Sequence, residues 1–264
     1  MIELDLLPEL SGIWRVFAAM LLVGLAVGIS YWQSIDIERE MFVATARAFI
    51  QLIAIGYVLE LIFAQEHPLW IVLMLLIMCI AAARTAVRRG QGIPNAGWIT
   101  FISIGVGTIV TLSSLLALRI FTFDAQTMIP IGGMILGSSM TTAALTLNRL
   151  KTDFKADRHV VEEALALGAA QTQAARPIYK RAIHSAMIPT VDAARSVGLV
   201  KLPGAMTGLI LAGVPPLQAV QIQMIVMYML ISAAAFTGLG CALLGYRQFF
   251  TEAEQLRPSV VFQE

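Results

Sequence analysis

Apolar runs of about twenty residues recur along the chain. That recurrence restricts the possible folds more than any other feature, because about 20 apolar residues are what a helix needs to cross the hydrocarbon core of a bilayer. Trp98–Leu118 and Met128–Asn148 contain no charged residue, and Leu69–Val87 contains one, Arg84. Across the 264 residues 58% are apolar and 13% charged, where a soluble domain carries about 45–50% and about 25%. The chain therefore reads as an all-α, polytopic integral membrane protein. With short connections its length allows roughly six to eight spans in one transmembrane domain, residues 1–264, with no ordinary soluble domain beside them.

The predicted spans are Ile13–Tyr31, Met41–Phe63, Leu69–Val87, Trp98–Leu118, Met128–Asn148, about Ser196–Val214, and Leu217–Gly245, which makes about seven. Pro215-Pro216 separates the last two, since a continuous helix cannot pass through that pair. Arg84–Gly97 holds Arg84, Arg88 and Arg89, and Arg149–Ala182 holds Arg149, Lys151, Lys155, Arg158, Arg176, Lys180 and Arg181. Cytoplasmic loops carry such an excess of basic residues, which puts the N-terminus outside, the C-terminus inside, and Glu66 and Asp124 outside. Met1–Leu10 carries acids and no base, unlike a secretory signal, so the first span is expected to be retained. The first inner loop, Gln33–Met41, carries Asp36, Glu38 and Glu40 against Arg39, although acids weigh little in orientation. Ile183–Arg195 is read as an amphipathic helix at the inner interface, with Asp192 and Arg195 paired and Lys201 snorkelling. A broken spanning helix starting near Ile183 is the alternative.

The chemistry legible in the chain is that of passage rather than reaction. No GxxxxGK[ST] phosphate cradle occurs, so any ATP hydrolysis belongs to another polypeptide. His67, His159 and His184 fall outside the predicted spans and assemble neither a Ser-His dyad nor an HExxH zinc site. Cys79 and Cys241 read as buried thiols, and a net charge of +1 gives no reason to expect nucleic-acid binding. Arg47 and Gln51 share a helical face, which suits either a polar path or an arginine snorkelling to headgroups; Glu60 sits near the other end of that span. The fifth span is polar without being charged: Gly133 and Gly137 are followed by Ser138, Ser139, Thr141, Thr142 and Thr146, with Met134 and Met140 beside them. Ser138 and Thr142 share a face. Their hydroxyls could offer oxygen to a hard cation, or could back-bond to the preceding turn in a closely packed helix; no metal ligand is assigned. Downstream, Glu162 and Glu163 precede a small apolar surface from Ala164 to Ala170, and an exposed apolar helix face marks a docking surface.

That run, Glu162-Glu163-Ala164-Leu165-Ala166-Leu167-Gly168, resembles the EAA loop of ABC-transporter permeases, the helix that docks on the ATP-hydrolysing subunit. Together with Ala46-Arg47-Ala48-Phe49-Ile50-Gln51-Leu52, with Pro130 through Met140, and with the stretch from Glu162 to Gly208, it resembles the FetB family of ABC permeases. The resemblance implies a permease subunit of an ATP-driven exporter with iron as leading cargo, in two copies with two copies of a separate ATPase. ATP and Mg would be bound by that partner, and no cofactor by this chain. It also implies that a coupling segment, about 149–195, lies between spans five and six, with Glu162, Glu163, Ala164, Gly168 and Arg176 facing the ATPase. Arg47, Gln51, Met134, Ser138 and Thr142 are the candidates for the translocation path. The competing reading is a stand-alone secondary transporter or channel for a small solute, against which the shortage of membrane-buried carboxylates argues.

Overall fold

The computed structural model describes residues 10–32, 37–65, 67–88 and 92–257. Asp36, Glu66 and Arg89, on which the sidedness expectation partly draws, lie outside that set. The described chain folds into α1 (Leu10–Trp32), α2 (Glu38–Phe63), α3 (Pro68–Val87), α4 (Ala96–Ala117), α5 (Ala125–Ala156), α6 (Arg158–Ala166), α7 (Gln171–Ser196), α8 (Gly204–Leu211) and α9 (Pro216–Gly245), the last running into a 3-10 turn, Tyr246–Phe249. Among the described residues there is no strand, only the isolated bridges Val197–Lys201 and Phe250–Leu256. Five helices among the described residues, α2 to α5 and α9 with its 3-10 turn, are long and apolar enough to cross a membrane. The chain is thus an all-α polytopic membrane protein.

Local chemistry sets the helix boundaries. Pro68 sits in the first turn of α3, where its missing N–H costs nothing, and the His67 ring accepts from the Leu69 N–H at 3.2 Å. Asp124 caps α5, accepting from the Thr127 N–H at 2.8 Å. The Thr122 hydroxyl also donates to Asp124 and, with the Thr127 contact, holds its carboxyl below the usual carboxylate range. Pro216 opens α9 after the Pro215 cap, so the Pro-Pro break falls where the sequence places it.

By contacts the chain divides into two compact units, Met1–Gln65 and Glu66–Glu264. In the first, α1 and α2 pack together, and the Ser30 hydroxyl donates to Glu38 Oε1 at 2.9 Å. Glu38 and Glu40 occupy the first turn of α2, where the positive end of the helix dipole favours acids. That accounts for Glu38 and Glu40 without reference to sidedness.

In the second unit α9 packs against α4, α5 and α7, while α3 lies on α4 and α5. Small residues allow the close approaches, as in membrane helix pairs generally. A Cβ on Gly107 of α4 would lie 2.4 Å from Thr237 Oγ1 and 3.2 Å from the Ala233 carbonyl of α9, and one on Gly132 of α5 would lie 2.3 Å from Leu75 of α3. α7 runs antiparallel to α5: Arg181 meets Asp153 and Asp157, and further along Pro189 and Thr190 stand beside Ser138 and Thr141.

Two expectations about the charged segment are corrected. Arg149–Ala182 is not an irregular loop but is helical over most of its length. α5 continues unbroken past Asn148 to Ala156, 32 residues in all, about 48 Å at 1.5 Å per residue and longer than a hydrocarbon core of about 30 Å. A charge ends an apolar run but not a helix, and Arg149 pairs with Asp153 one turn on, at 3.3 Å. The projecting ends of α5, α6, α7 and the 3-10 turn close around Leu147, Leu150, Phe154, Val161, Ile178, Tyr246 and Phe249, with the Phe154 and Phe249 rings stacked at 4.2 Å. Ile93 and Ala96 belong to the same core, so both basic segments sit at one end of the unit.

The second correction concerns Ser196–Val214, which is not one span. The chain turns at Val197–Lys201, and α8 has only 8 residues, about 12 Å of helix. Ile183–Arg195 is no separate interfacial helix either. It is the second half of the 26-residue α7, which packs along α5 and α9. Nor does a helix start near Ile183, as the alternative had it: α7 starts at Gln171, is interrupted after Ser196, and is not among the helices long and apolar enough to cross a membrane.

Candidate functional site

At the α7 break lies a cavity of about 460 Å³ between α5, α7, α9 and the turn leading to α8. Its wall carries Ser138 and Thr141 of α5, Pro189 and Thr190 of α7, Lys201 and Pro203 of the turn, and Gln223 of α9. Pro189 lacks the N–H that would otherwise serve the Ser185 carbonyl, so the helix is weakened at the wall, about two turns before its end at Ser196. Gln223 is 5% exposed and its Oε1 has no hydrogen-bond partner, an arrangement that costs about 1–3 kcal/mol in a protein interior. Lys201 is exposed and is the one formally charged residue in the described wall. Asp192 and Arg195, paired at 3.6 Å, are exposed and outside it. The wall is mostly apolar, with Val197, Leu202, Met227 and Leu230 in it, and among this surface it offers hydroxyls, an amide and one ammonium, and no carboxylate. Among the described residues no group of three or more His, Cys, Asp or Glu is placed to hold a metal ion.

The structure separates two residues that share a helical face. Ser138 lines the cavity, together with Thr141. Thr142 is 1% exposed, donates to the Ser138 carbonyl at 3.1 Å, and lies 3.3 Å from where a Cβ on Gly238 of α9 would stand. Thr146 likewise donates to the Thr142 carbonyl at 2.8 Å. Both serve the seam between α5 and α9. Met134 is partly buried on α5 and is not in the described wall. Arg47 and Gln51 belong to the α1–α2 unit and are exposed in it.

The second candidate is the elbow between α6 and α7. The helix expected over Glu162–Ala170 ends at Ala166. Gly168 follows with φ +86°; its N–H donates to the Leu165 carbonyl and the Ala169 N–H donates to Ala164, the pairing that closes a helix on a left-handed glycine. Nothing lies within 4 Å of a Cβ built there. Glu162 accepts from Arg158 Nε at 2.8 Å, Ala164 is half-buried, and Glu163 and Arg176 are exposed. Leu167, at the tip, is 89% exposed. Glu162, Leu165 and Gly168 form one side of a groove of about 500 Å³ whose other side is Ala253–Leu256. Behind the elbow, Asp153 and Asp157 of the α5–α6 corner grip Arg181. Partial burial works against that charge, but the two carboxylates outweigh it and hold the guanidinium above its ordinary pKa.

Sequence reasoning missed Gln223 and the wall position of Lys201, and it noted the Thr141 hydroxyl without placing it on the path. An amide inside the last apolar run was the available signal for Gln223. The role of Lys201 depends on the α7 break, which composition does not show.

A bundle of membrane-length helices, with a cavity where α7 is interrupted and an exposed helical elbow at its basic end, defines a polytopic all-α membrane protein. The chain belongs to the family described as "Uncharacterised protein family (UPF0014)", which matches residues 13–250. It is 42% identical over 261 residues to the rice UPF0014 membrane protein STAR2, covering 96% of this chain and 92% of that one. It is 41% identical to the Arabidopsis thaliana Protein ALUMINUM SENSITIVE 3, covering 97% and 93%. It is also 38% identical to the Escherichia coli Probable iron export permease protein FetB, covering 90% and 92%. No solved structure matches the chain.

Proposed function

We propose that this chain is the membrane-spanning permease subunit of an ATP-driven exporter whose cargo is iron. The observation that carries the reading is the cavity against the broken α7, in a chain covering nine-tenths of a relative named a probable iron export permease. Irregular backbone at membrane depth is tolerated where it lines a cavity, and a helix interrupted beside a binding site is a recurrent transporter device. The chain contains no phosphate-cradling motif, so ATP and Mg belong to a separate ABC ATPase, with two copies of each subunit in the complex. The elbow, with Glu162, Glu163, Ala164 and Gly168, and with Arg176 on the helix that follows, is the surface offered to that ATPase. Arg181 and its two carboxylates link the elbow to the helices lining the cavity. The basic end faces the cytoplasm of a cell whose inner membrane holds the protein, with the N-terminus outside and the C-terminus inside.

The test is reconstitution of the full chain in liposomes with and without a candidate ABC ATPase. The expected outcome is iron movement that requires both MgATP and the ATPase, with ATP hydrolysis stimulated by the permease. Iron movement by the chain alone, driven by a solute or proton gradient, would replace this reading with a secondary transporter.

A further inference from the structure

Resting on that cavity as the path, we propose that it takes its cargo as an anionic, oxygen-rich solute, and that iron passes as an anionic chelate rather than as a bare cation. Gln223 is a residue that reads it. A bare divalent cation leaving water needs several ligands, supplied in protein sites chiefly by carboxylate, carbonyl, imidazole or thiolate groups. The described wall has no carboxylate, imidazole or thiolate, its one sulfur being the Met227 thioether, and its single charge, Lys201, is of the sign that repels the ion. Ser138 and Thr190 offer hydroxyls that both donate and accept, while Thr141, whose proton goes to the Gly137 carbonyl at 3.1 Å, offers lone pairs only. Gln223 adds an amide that is 95% buried (5% exposed), with Oε1 unpartnered; that oxygen accepts from a hydroxyl of the solute and leaves its carboxylates to Lys201. Hydroxyls, an amide and an ammonium suit carboxylates and hydroxyl groups, the exterior of a hydroxycarboxylate chelate. At about 460 Å³ the cavity falls in the range of small-molecule sites.

The experiment is binding to the purified full chain in nanodiscs, followed by calorimetry with three probes: citrate, ferric citrate, and ferrous ion under reducing, anaerobic conditions. Ferric citrate is expected to bind and ferrous ion alone is not. Citrate binding as tightly as ferric citrate would make the organic anion itself the recognised group, whereas preference for ferric citrate would make it the intact chelate; either supports the proposal. Gln223→Leu and Lys201→Gln should each weaken binding about tenfold. Gln223→Glu, which keeps the side chain's size, gives opposite signs for the two cargo classes: weaker binding of an anion, tighter binding of a cation. Ferrous ion bound by the wild type and tightened by Gln223→Glu overturns the proposal, as does failure of the folded wild type to bind either anionic probe. Iron export by the same variants separates the two levels. Full export by both Gln223→Leu and Lys201→Gln removes this cavity from the path, whereas export lost in a protein that prefers ferrous ion overturns the cargo class alone.

Discussion

Asp153 on α5 and Arg181 on α7, 28 residues apart in the chain, meet at 3.4 Å between Oδ2 and Nε. Arg149 holds the other carboxylate oxygen at 3.3 Å, and Arg181 reaches on to Asp157. Asp153 is 8% exposed, while the two arginine side chains are about half exposed, at 50% and 48%. One nearly buried carboxylate therefore fixes the foot of α5 to the first half of α7.

Arg181→Met should destabilise the protein more than Asp153→Asn. The first leaves a poorly hydrated carboxylate with one partner instead of two, which carries part of the penalty of an unpaired buried charge; the second frees arginines that already reach water. With solvent screening the difference is about 1–2 kcal/mol, read by thermal unfolding in detergent. The reverse order would mean that the carboxylate is no anchor.

Gly107→Ala should separate α4 from α9. The new methyl would stand 2.4 Å from Thr237 Oγ1 and 3.2 Å from a backbone oxygen, and overpacking of this kind costs about 1–3 kcal/mol. Thr237→Ala in the same chain removes the first clash and leaves the second, so the double variant should recover part of the lost stability. No recovery in an unfolding series would place the strain elsewhere.

Gly168 is constrained by its backbone, not by lack of space. A non-glycine residue at φ +86° costs roughly 1–2 kcal/mol, and Asn tolerates the conformation best. Gly168→Asn should therefore keep ATPase stimulation, while Gly168→Val should reduce it by unwinding the elbow, with membrane insertion unchanged. Equal loss in both variants would argue for a partner that touches this residue directly.

Ser138 and Thr142 should give different phenotypes. Ser138→Ala removes a hydroxyl from the cavity wall and should lower transport with little change in thermal stability. Thr142→Ala removes a methyl and a hydroxyl from the α5–α9 seam, a loss of about 1 kcal/mol, and should leave the transport rate per folded molecule unchanged. Identical effects on transport would place Thr142 on the path as well.

Much of the bundle is legible in the order of residues alone. The expected spans Met41–Phe63, Leu69–Val87, Trp98–Leu118 and Leu217–Gly245 differ by three residues or fewer at either end from α2, α3, α4 and α9, because apolar length and proline placement are local properties that lipid reads directly. The break at Pro215-Pro216 is of the same kind. What tertiary structure decided is how the charged middle of the chain is used. Arg149 to Ala182 resembles a loop by composition, yet most of it is helical, as the end of α5, all of α6 and the first half of α7, and Arg181 of α7 is paired with Asp153 and Asp157 at the end of α5. Whether Ser138 faces a cavity and Thr142 a neighbouring helix depends on where α9 lies, and no periodicity carries that information. The polar site exists only because α7 stops at Ser196 and brings Lys201 and Pro203 beside Gln223. Burial of that amide is a relation between helices distant in sequence, so it becomes visible only once they are packed.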